Sequence, residues 1–140
     1  MAAAAGAGCI LGFDYGSKRI GVARVEAHAR QARPLTTIDA TDNVWGQIGH
    51  IVRRYEPSLV VVGWPRGLDG QHTQQTYAAE AFARELEDRY ALEVVLQDEA
   101  LSSEEAQRRI NPKLPIRKQR EIIDALAAQV ILEGYLHEAK

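Results

Sequence analysis

The chain has 140 residues, 46% of them hydrophobic and 26% charged, with a formal net charge of −2 at pH 7. That is one domain of ordinary globular composition, long enough to bury a core. No apolar run approaches the roughly 20 residues of a membrane span, and the single cysteine, Cys9, excludes an internal disulfide framework and a cysteine metal cage.

The Ala/Gly start lacks the basic and long apolar parts of a signal peptide, so residues 1–8 are expected to be a disordered tail, with one domain over 9–140. A cytoplasmic protein with no membrane partner is the expectation, and Cys9 reads as a small buried hydrophobe at the start of the first strand. The overall charge hides a local excess: Arg108, Arg109, Lys113, Arg117, Lys118 and Arg120 fall in one stretch without an acid. Such a cluster suits a polyanion, although a solvated loop and helix face would carry the same charges.

In chain order, the apolar run from Cys9 ends in Asp14. A turn through Tyr15-Gly16-Ser17-Lys18-Arg19 leads to a second run, Ile20 to Ala27. The pair predicts a β-hairpin with a carboxylate at the end of its first strand. Arg33 to Ile38 reads as a third, edge-like strand, with Pro34 tolerated near its start. Residues 39–43 supply helix-start side chains, and Val44, Ile48, Ile51, Val52 and Tyr55 follow at helical spacing until Pro57. Ser58 to Gly63 is a continuous β-branched run, the pattern of a strand covered on both faces. A Pro/Gly-punctuated loop, Trp64 to Gly70, precedes a helix over 73–90 and a fifth strand over 92–97 that ends at Asp98-Glu99. Ser102 with Glu105 forms a capping-box pattern for a short helix. Asn111 to Pro115 breaks it, and a last helix is expected from about Lys118 to His137, with Ile122, Ile123, Leu126, Ala127, Val130, Ile131 and Tyr135 inward. The order β-β-β-α-β-α-β-α-α predicts an α/β fold: a mixed five-stranded sheet, strand order 3-2-1-4-5, with helices on both faces. The first strand is then central, with Asp14 at its exit.

A carboxylate at the end of a buried strand needs a cation, and a metal ion, Lys18, Arg19 or a helix N-terminus could supply one. Asp98 and Glu99 end another strand, so at least one of them can face the same edge. Asp124 interrupts an otherwise apolar or small run, Ile122 to Ala128. At about 100° per residue it shares a flank with Ala127, Ala128 and Ile131. That flank is expected against the sheet, where the alanines allow close approach. Lys118 or Arg120 could instead satisfy Asp124 by an ordinary helix pair. Three such acids would form a hard oxygen site suited to Mg²⁺ or Mn²⁺ rather than Zn²⁺, because no Cys or His lies among them. Carboxylates, a divalent metal and a neighbouring basic loop together describe a nuclease.

Four stretches carry a resemblance: Asp14 to Ala23; Val62-Gly63-Trp64-Pro65 with Asp69-Gly70; Asp98-Glu99 followed by Leu101-Ser102-Ser103 and Ala106; and Asp124 to Ala128. In this order and spacing the chain resembles the YqgF/RuvX family, RuvC-like members of the ribonuclease H-like superfamily, over nearly its whole length. The resemblance implies a ribonuclease H-like fold and a divalent-metal phosphodiesterase. The family is described as a Holliday junction resolvase and as a nuclease maturing the 5′ end of the small-subunit ribosomal RNA precursor. On this chain it implies Asp14, Glu99 and Asp124 as catalytic and metal-binding acids, with Asp98 the alternate. Lys18, Arg19, Lys113, Arg117, Lys118 and Arg120 are then expected to bind nucleic acid, RNA favoured and branched DNA allowed, with a homodimer allowed. Two departures stand out: Ala100 follows the acid pair where the family usually has Arg, and Gly63-Trp64-Pro65 replaces the acid that other superfamily members carry after the fourth strand.

Two other functions fit parts of the pattern. Actin-like and sugar-kinase ATPases open with a similar Asp-x-Gly hairpin, but need two such domains. A non-catalytic adaptor could bind RNA or transcription machinery in the same groove, although three acids beside a phosphate would then work against binding.

Overall fold

Five runs rich in β-branched and apolar residues form the strands β1 (Cys9–Asp14), β2 (Arg19–Glu26), β3 (Arg33–Asp39), β4 (Leu59–Trp64) and β5 (Val94–Asp98). Among the described residues four helices follow the amphipathic stretches: α1 (Val44–Tyr55), α2 (Gln74–Tyr90), α3 (Ser102–Arg109) and α4 (Ile116–Glu138). The structure, a computed structural model, describes residues 8–138 apart from 27, 30, 68, 100 and 101. The expected tail at 1–7, the expected strand end at Ala27, and the Ala100 departure lie outside the described residues. So do the side chains of Ser102 and Ser103, and with them the expected capping box. Gly8, expected in the tail, lies close against Ser58.

The sheet has the order β3-β2-β1-β4-β5, as expected. β1 pairs antiparallel with β2 and parallel with β4, and β4 pairs parallel with β5. Alternation along the central strands divides the core between the two sheet faces. Leu11, Phe13, Ile20, Val22, Val60 and Val62 meet Ile48 and Ile51 of α1 and Phe82 and Leu86 of α2. On the other face Ala23, Val25 and Val61 meet Ala128, Ile131 and Leu132 of α4. α3 covers the outer side of α4 through Ala106, Leu126 and Ala127. Cys9 is buried and free, its Sγ within 3.4 Å of the Tyr55 carbonyl.

Local chemistry sets the helix ends. Gln47 Nε2 donates to the carbonyls of Asp39 and Asp42, tying the α1 start, while Asn43 takes φ 47° without a side-chain cap. Glu56, in the left-handed region ahead of Pro57, closes α1 with its N–H on the Val52 carbonyl. Thr73 and Thr76 cap α2 reciprocally. α4 begins two residues earlier than expected, because the Pro115 carbonyl already accepts from Gln119 N–H at 3.0 Å.

The α4 face differs from its opposite in what it lacks. Gly12 of β1, Gly21 of β2 and Gly63 of β4 all face α4. A Cβ on Gly12 would sit 3.2 Å from Leu132 Cβ, and one on Gly21 would overlap the carbonyl of Asp124 outright. The glycines let α4 lie almost on the backbone of the sheet. Gly21→Ala is therefore expected to destabilise the fold by about 1–3 kcal/mol, since helix backbone must move. Gly134→Ala, whose Cβ would meet only Gln97 Nε2 at 3.5 Å, should instead stabilise α4 by about 0.5–1 kcal/mol. Urea denaturation of the two variants checks the pair of opposite signs.

Candidate active site

Asp14 lies two positions after Gly12 in β1 and opposite Gly21 in β2, so it faces α4. Because Gly21 has no side chain, the α4 backbone at Asp124 reaches the same place from above. Gly63 does the same for the third acid: a Cβ there would collide with Glu99 Oε2 and would meet Ile131 Cδ1 at 2.6 Å. The pleat separates the two acids at the end of β5. Gln97 faces α4, where it donates to Glu138 at 2.7 Å, and Asp98 turns to the other face, paired with Arg66. Glu99 returns to the α4 side and reaches Gly63. Three glycines, each interrupting a β-branched or apolar run, thus bring Asp14, Asp124 and Glu99 to one end of the central strands.

The electrostatics bear the mark of that convergence. Burial, reinforced by the charge of Asp124, pushes the Asp14 carboxyl up to about 7. Burial, then Asp14, then Asp98 push Glu99 up to about 8. Asp124 has a cation in contact, Arg19 Nε donating to its Oδ2 at 2.6 Å, whereas Asp14 forms no ion pair among the described residues. Of the cations considered near these acids, Arg19 thus meets Asp124 rather than Asp14, and among the described residues neither Lys118 nor Arg120 makes the alternative helix pair with Asp124. Among the described residues no three His, Cys, Asp or Glu side chains are drawn together tightly enough to form a metal cluster. Asp14 stands between Glu99 and Asp124 within electrostatic reach of both. The chemistry of the donor set fits a hard divalent cation: oxygen donors only, and partly desolvated carboxyls that repel one another.

A family model described as "RuvX: Holliday junction resolvase" matches residues 8–138. The chain belongs to the RuvX family. A relative from Methylobacillus flagellatus, named "Putative pre-16S rRNA nuclease", is 43% identical over 136 residues, 95% of this chain and 93% of its own. One of the same name from Nitrosococcus oceani is 40% identical over 131 residues, 92% and 86% of the two chains. Among solved structures, Thermus thermophilus RuvC covers 94% of this chain and 96% of its own with TM-score 0.57 at 13% identity. The fowlpox virus Holliday junction resolvase covers 94% and 99% with TM-score 0.60 at 13% identity. These two establish that the fold is the ribonuclease H-like one expected. No helix among the described residues is long and apolar enough to cross a membrane.

In this RuvX chain the basic stretch from Arg108 to Arg120 divides into two groups. Arg108 pairs with Glu105, and Arg109 with Glu105 and Glu133, so these two arginines fasten α3 to itself and to α4. Lys113, Arg117, Lys118 and Arg120 are exposed and form no ion pair among the described residues. The turn that carries Lys113 is tied down, with Gln119 Nε2 donating to the Leu114 carbonyl at 2.8 Å and Lys113 N–H donating to Asn111 Oδ1 at 3.0 Å. Lys18 is exposed in the β1–β2 turn, next to Arg19. Sequence reasoning missed the Arg19–Asp124 and Arg66–Asp98 pairs, which no spacing signals. It also passed over the glycines, although a lone Gly in each of three strands is a legible sign of close backbone approach.

The raised carboxyls make stability depend on pH. Unfolded carboxyls titrate near about 4. The folded ones hold their protons until about 7 for Asp14 and about 8 for Glu99, so the stability they contribute is complete in acid and lost as pH rises through those values. The melting temperature in EDTA, followed by circular dichroism, should therefore fall between pH 5 and pH 8.5, with a smaller fall in Asp14→Asn, where the burial of Glu99 still acts. An equal fall in that variant would place its source elsewhere.

Proposed function

We propose that this chain is a divalent-metal-dependent nuclease that hydrolyses RNA phosphodiester bonds in 5′-end processing of the small-subunit ribosomal RNA precursor, in the cytoplasm. The observation that carries the reading is the convergence of Asp14, Glu99 and Asp124 at the exit of the central strands, where Gly21 and Gly63 admit Asp124 and Glu99. The names of relatives 43% and 40% identical support the substrate. Asp14, Glu99 and Asp124 would hold Mg²⁺ or Mn²⁺. When bound, such an ion lowers the pKa of a water and neutralises charge developing on the phosphate oxygens. Asp14, the central acid, has the most to gain from a cation because its neighbours on both sides are acids. Glu99 is the better ligand at the end of β5, since Asp98 lies on the other face with Arg66. Arg19 keeps Asp124 turned toward the sheet and, with Lys18, can meet an incoming phosphate. Lys113, Arg117, Lys118 and Arg120 would then follow the strand away from the acids.

Cleavage of matched single-stranded RNA, single-stranded DNA and four-way junction DNA, each with Mg²⁺ and with Mn²⁺, tests the reading. The junction is included because of the family description. It would call for a homodimer, because two symmetric cuts are needed. Asp14→Asn and Glu99→Gln are expected to lower cleavage by orders of magnitude with the fold intact, and Asp98→Asn to be milder. The reverse ranking of Glu99 and Asp98 would move the ligand and leave the mechanism standing. The triple change Lys113→Ala, Arg117→Ala, Lys118→Ala should weaken binding of all sequences. On logarithmic axes it should flatten the salt dependence by roughly 0.7–0.9 for each phosphate no longer neutralised. An unchanged salt slope would return these charges to the solvated surface.

A further inference from the structure

The loop that leaves β4 carries a chain of rings separate from the acids and the basic turn. Trp64 closes the strand, and its Nε1 donates to Glu80 Oε2 of α2 at 2.9 Å, which fixes the indole plane. His72 meets Trp64 edge-to-face at 5.1 Å between ring centroids, and Tyr77 meets His72 in the same way at 5.7 Å. The Arg66 guanidinium lies over the Trp64 ring at 5.0 Å while pairing with Asp98.

These rings are held by hydrogen bonds rather than by burial. Gly67 N–H donates to the Gln71 carbonyl at 2.7 Å, Gly70 N–H to the Gly67 carbonyl at 2.9 Å, and Thr76 Oγ1 to the Pro65 carbonyl. Core packing does not account for them: His72 is exposed, and Tyr77 is 58% exposed. An edge-to-face contact covers at most one face of one ring, so His72 and Tyr77 keep flat ring surface open to solvent, while Arg66 lies over the half-buried Trp64. The position is as telling as the chemistry. Trp64 directly follows Gly63, on which the Glu99 carboxylate lies, so the rings begin at the same end of β4 as the acids, on the α2 face of the sheet.

Resting on the nuclease reading, we propose that Trp64, His72 and Tyr77, with Arg66, form a platform on which an unpaired nucleobase beside the scissile phosphate stacks. Aromatic faces and a guanidinium plane accept any base, and a base is available to them only when it is not paired. The arginine adds a positive charge beside the strand without supplying the sequence-reading donors of a groove contact. The platform and the basic turn at Lys113 flank the acids on different elements. A strand held by its phosphates at one and by a base at the other would be drawn across the site. The substrate class follows: a single strand, or a strand with unpaired nucleotides at the cut, rather than a continuous duplex.

The test uses the full chain and three labelled probes: a short single-stranded RNA, the same strand with abasic sites, and the blunt duplex. Binding is followed by fluorescence anisotropy in Ca²⁺ over a range of salt. Wild type should bind the intact strand more tightly than the abasic strand or the duplex. The double variant His72→Ala, Tyr77→Ala changes exposed side chains and should melt near the wild-type temperature. It is expected to lose roughly 5- to 100-fold in affinity for the intact strand, to lose little for the abasic one, and to keep the wild-type salt slope, because no phosphate contact is removed. Unchanged affinity of the double variant, or an equal loss on the abasic strand, overturns the platform while leaving a nuclease that binds and cleaves. A wild-type protein that binds none of the probes and cleaves none with Mg²⁺ or Mn²⁺ overturns the nuclease reading and the platform with it.

Discussion

The seating of α4 on the sheet governs everything at the carboxylate edge. An aspartate side chain is short, so Asp124 can approach Asp14 only if the helix backbone itself comes down onto β2, and the Asp124 carbonyl lies where the Cβ of residue 21 would stand. Small residues make this possible from both sides: Gly12, Gly21 and Gly63 in the strands, Ala125 and Ala128 in the helix. The opposite face is built by the contrary rule. Phe13, Leu11, Ile48, Phe82 and Leu86 fill it with large buried apolar side chains. One face supplies stability and the other supplies proximity, and the pleat of the central strands allots residues to each.

Proximity has an electrostatic consequence. Asp14 and Glu99 are held where ionisation is disfavoured, by burial first and by neighbouring carboxylates second. A protein selected for stability alone would not place acids there, and sites that violate the ordinary rules of burial are those where function is expected. Arg19 engages the acid of the helix, and among the described residues neither Asp14 nor Glu99 forms an ion pair. A divalent cation would relieve that imbalance, which is the physical content of assigning the site to metal chemistry.

The elements around the edge divide the handling of a polyanion. Arg108 is paired within α3 and Arg109 holds α3 against α4, whereas the exposed cations from Lys113 onward lie on a turn stiffened by Gln119 and on the first turns of α4. On the β4 side two aromatic side chains, His72 and Tyr77, are exposed, and the loop is stiffened by Thr73 and Thr76. Charge on one flank and ring surface on the other suit the two chemically different parts of a nucleic-acid strand, its backbone and its bases.

Much of this could be read from the sequence. Hydrophobic alternation and β-branched runs specify strands, helical spacing specifies α1 and α4, and right-handed crossovers leave β3-β2-β1-β4-β5 as the natural order, because these signals are local or follow from chain connectivity. The same reasoning put Asp14 at the exit of the central strand and Asp124 on the sheet-facing flank of the last helix. It left Asp98 and Glu99 undecided, since alternation assigns opposite faces to neighbours without saying which face is which. The pairing of Gln97 with Glu138 and of Asp98 with Arg66 settles the faces. The partner of Asp124 was equally beyond the sequence: nearby Lys118 and Arg120 were the local candidates, yet Arg19, 105 positions away, makes the bond. Local propensity and pattern act over a few residues, so the sequence by itself determined the elements and their order. Only tertiary packing, through glycines that admit a helix backbone to the sheet, decided which charges meet.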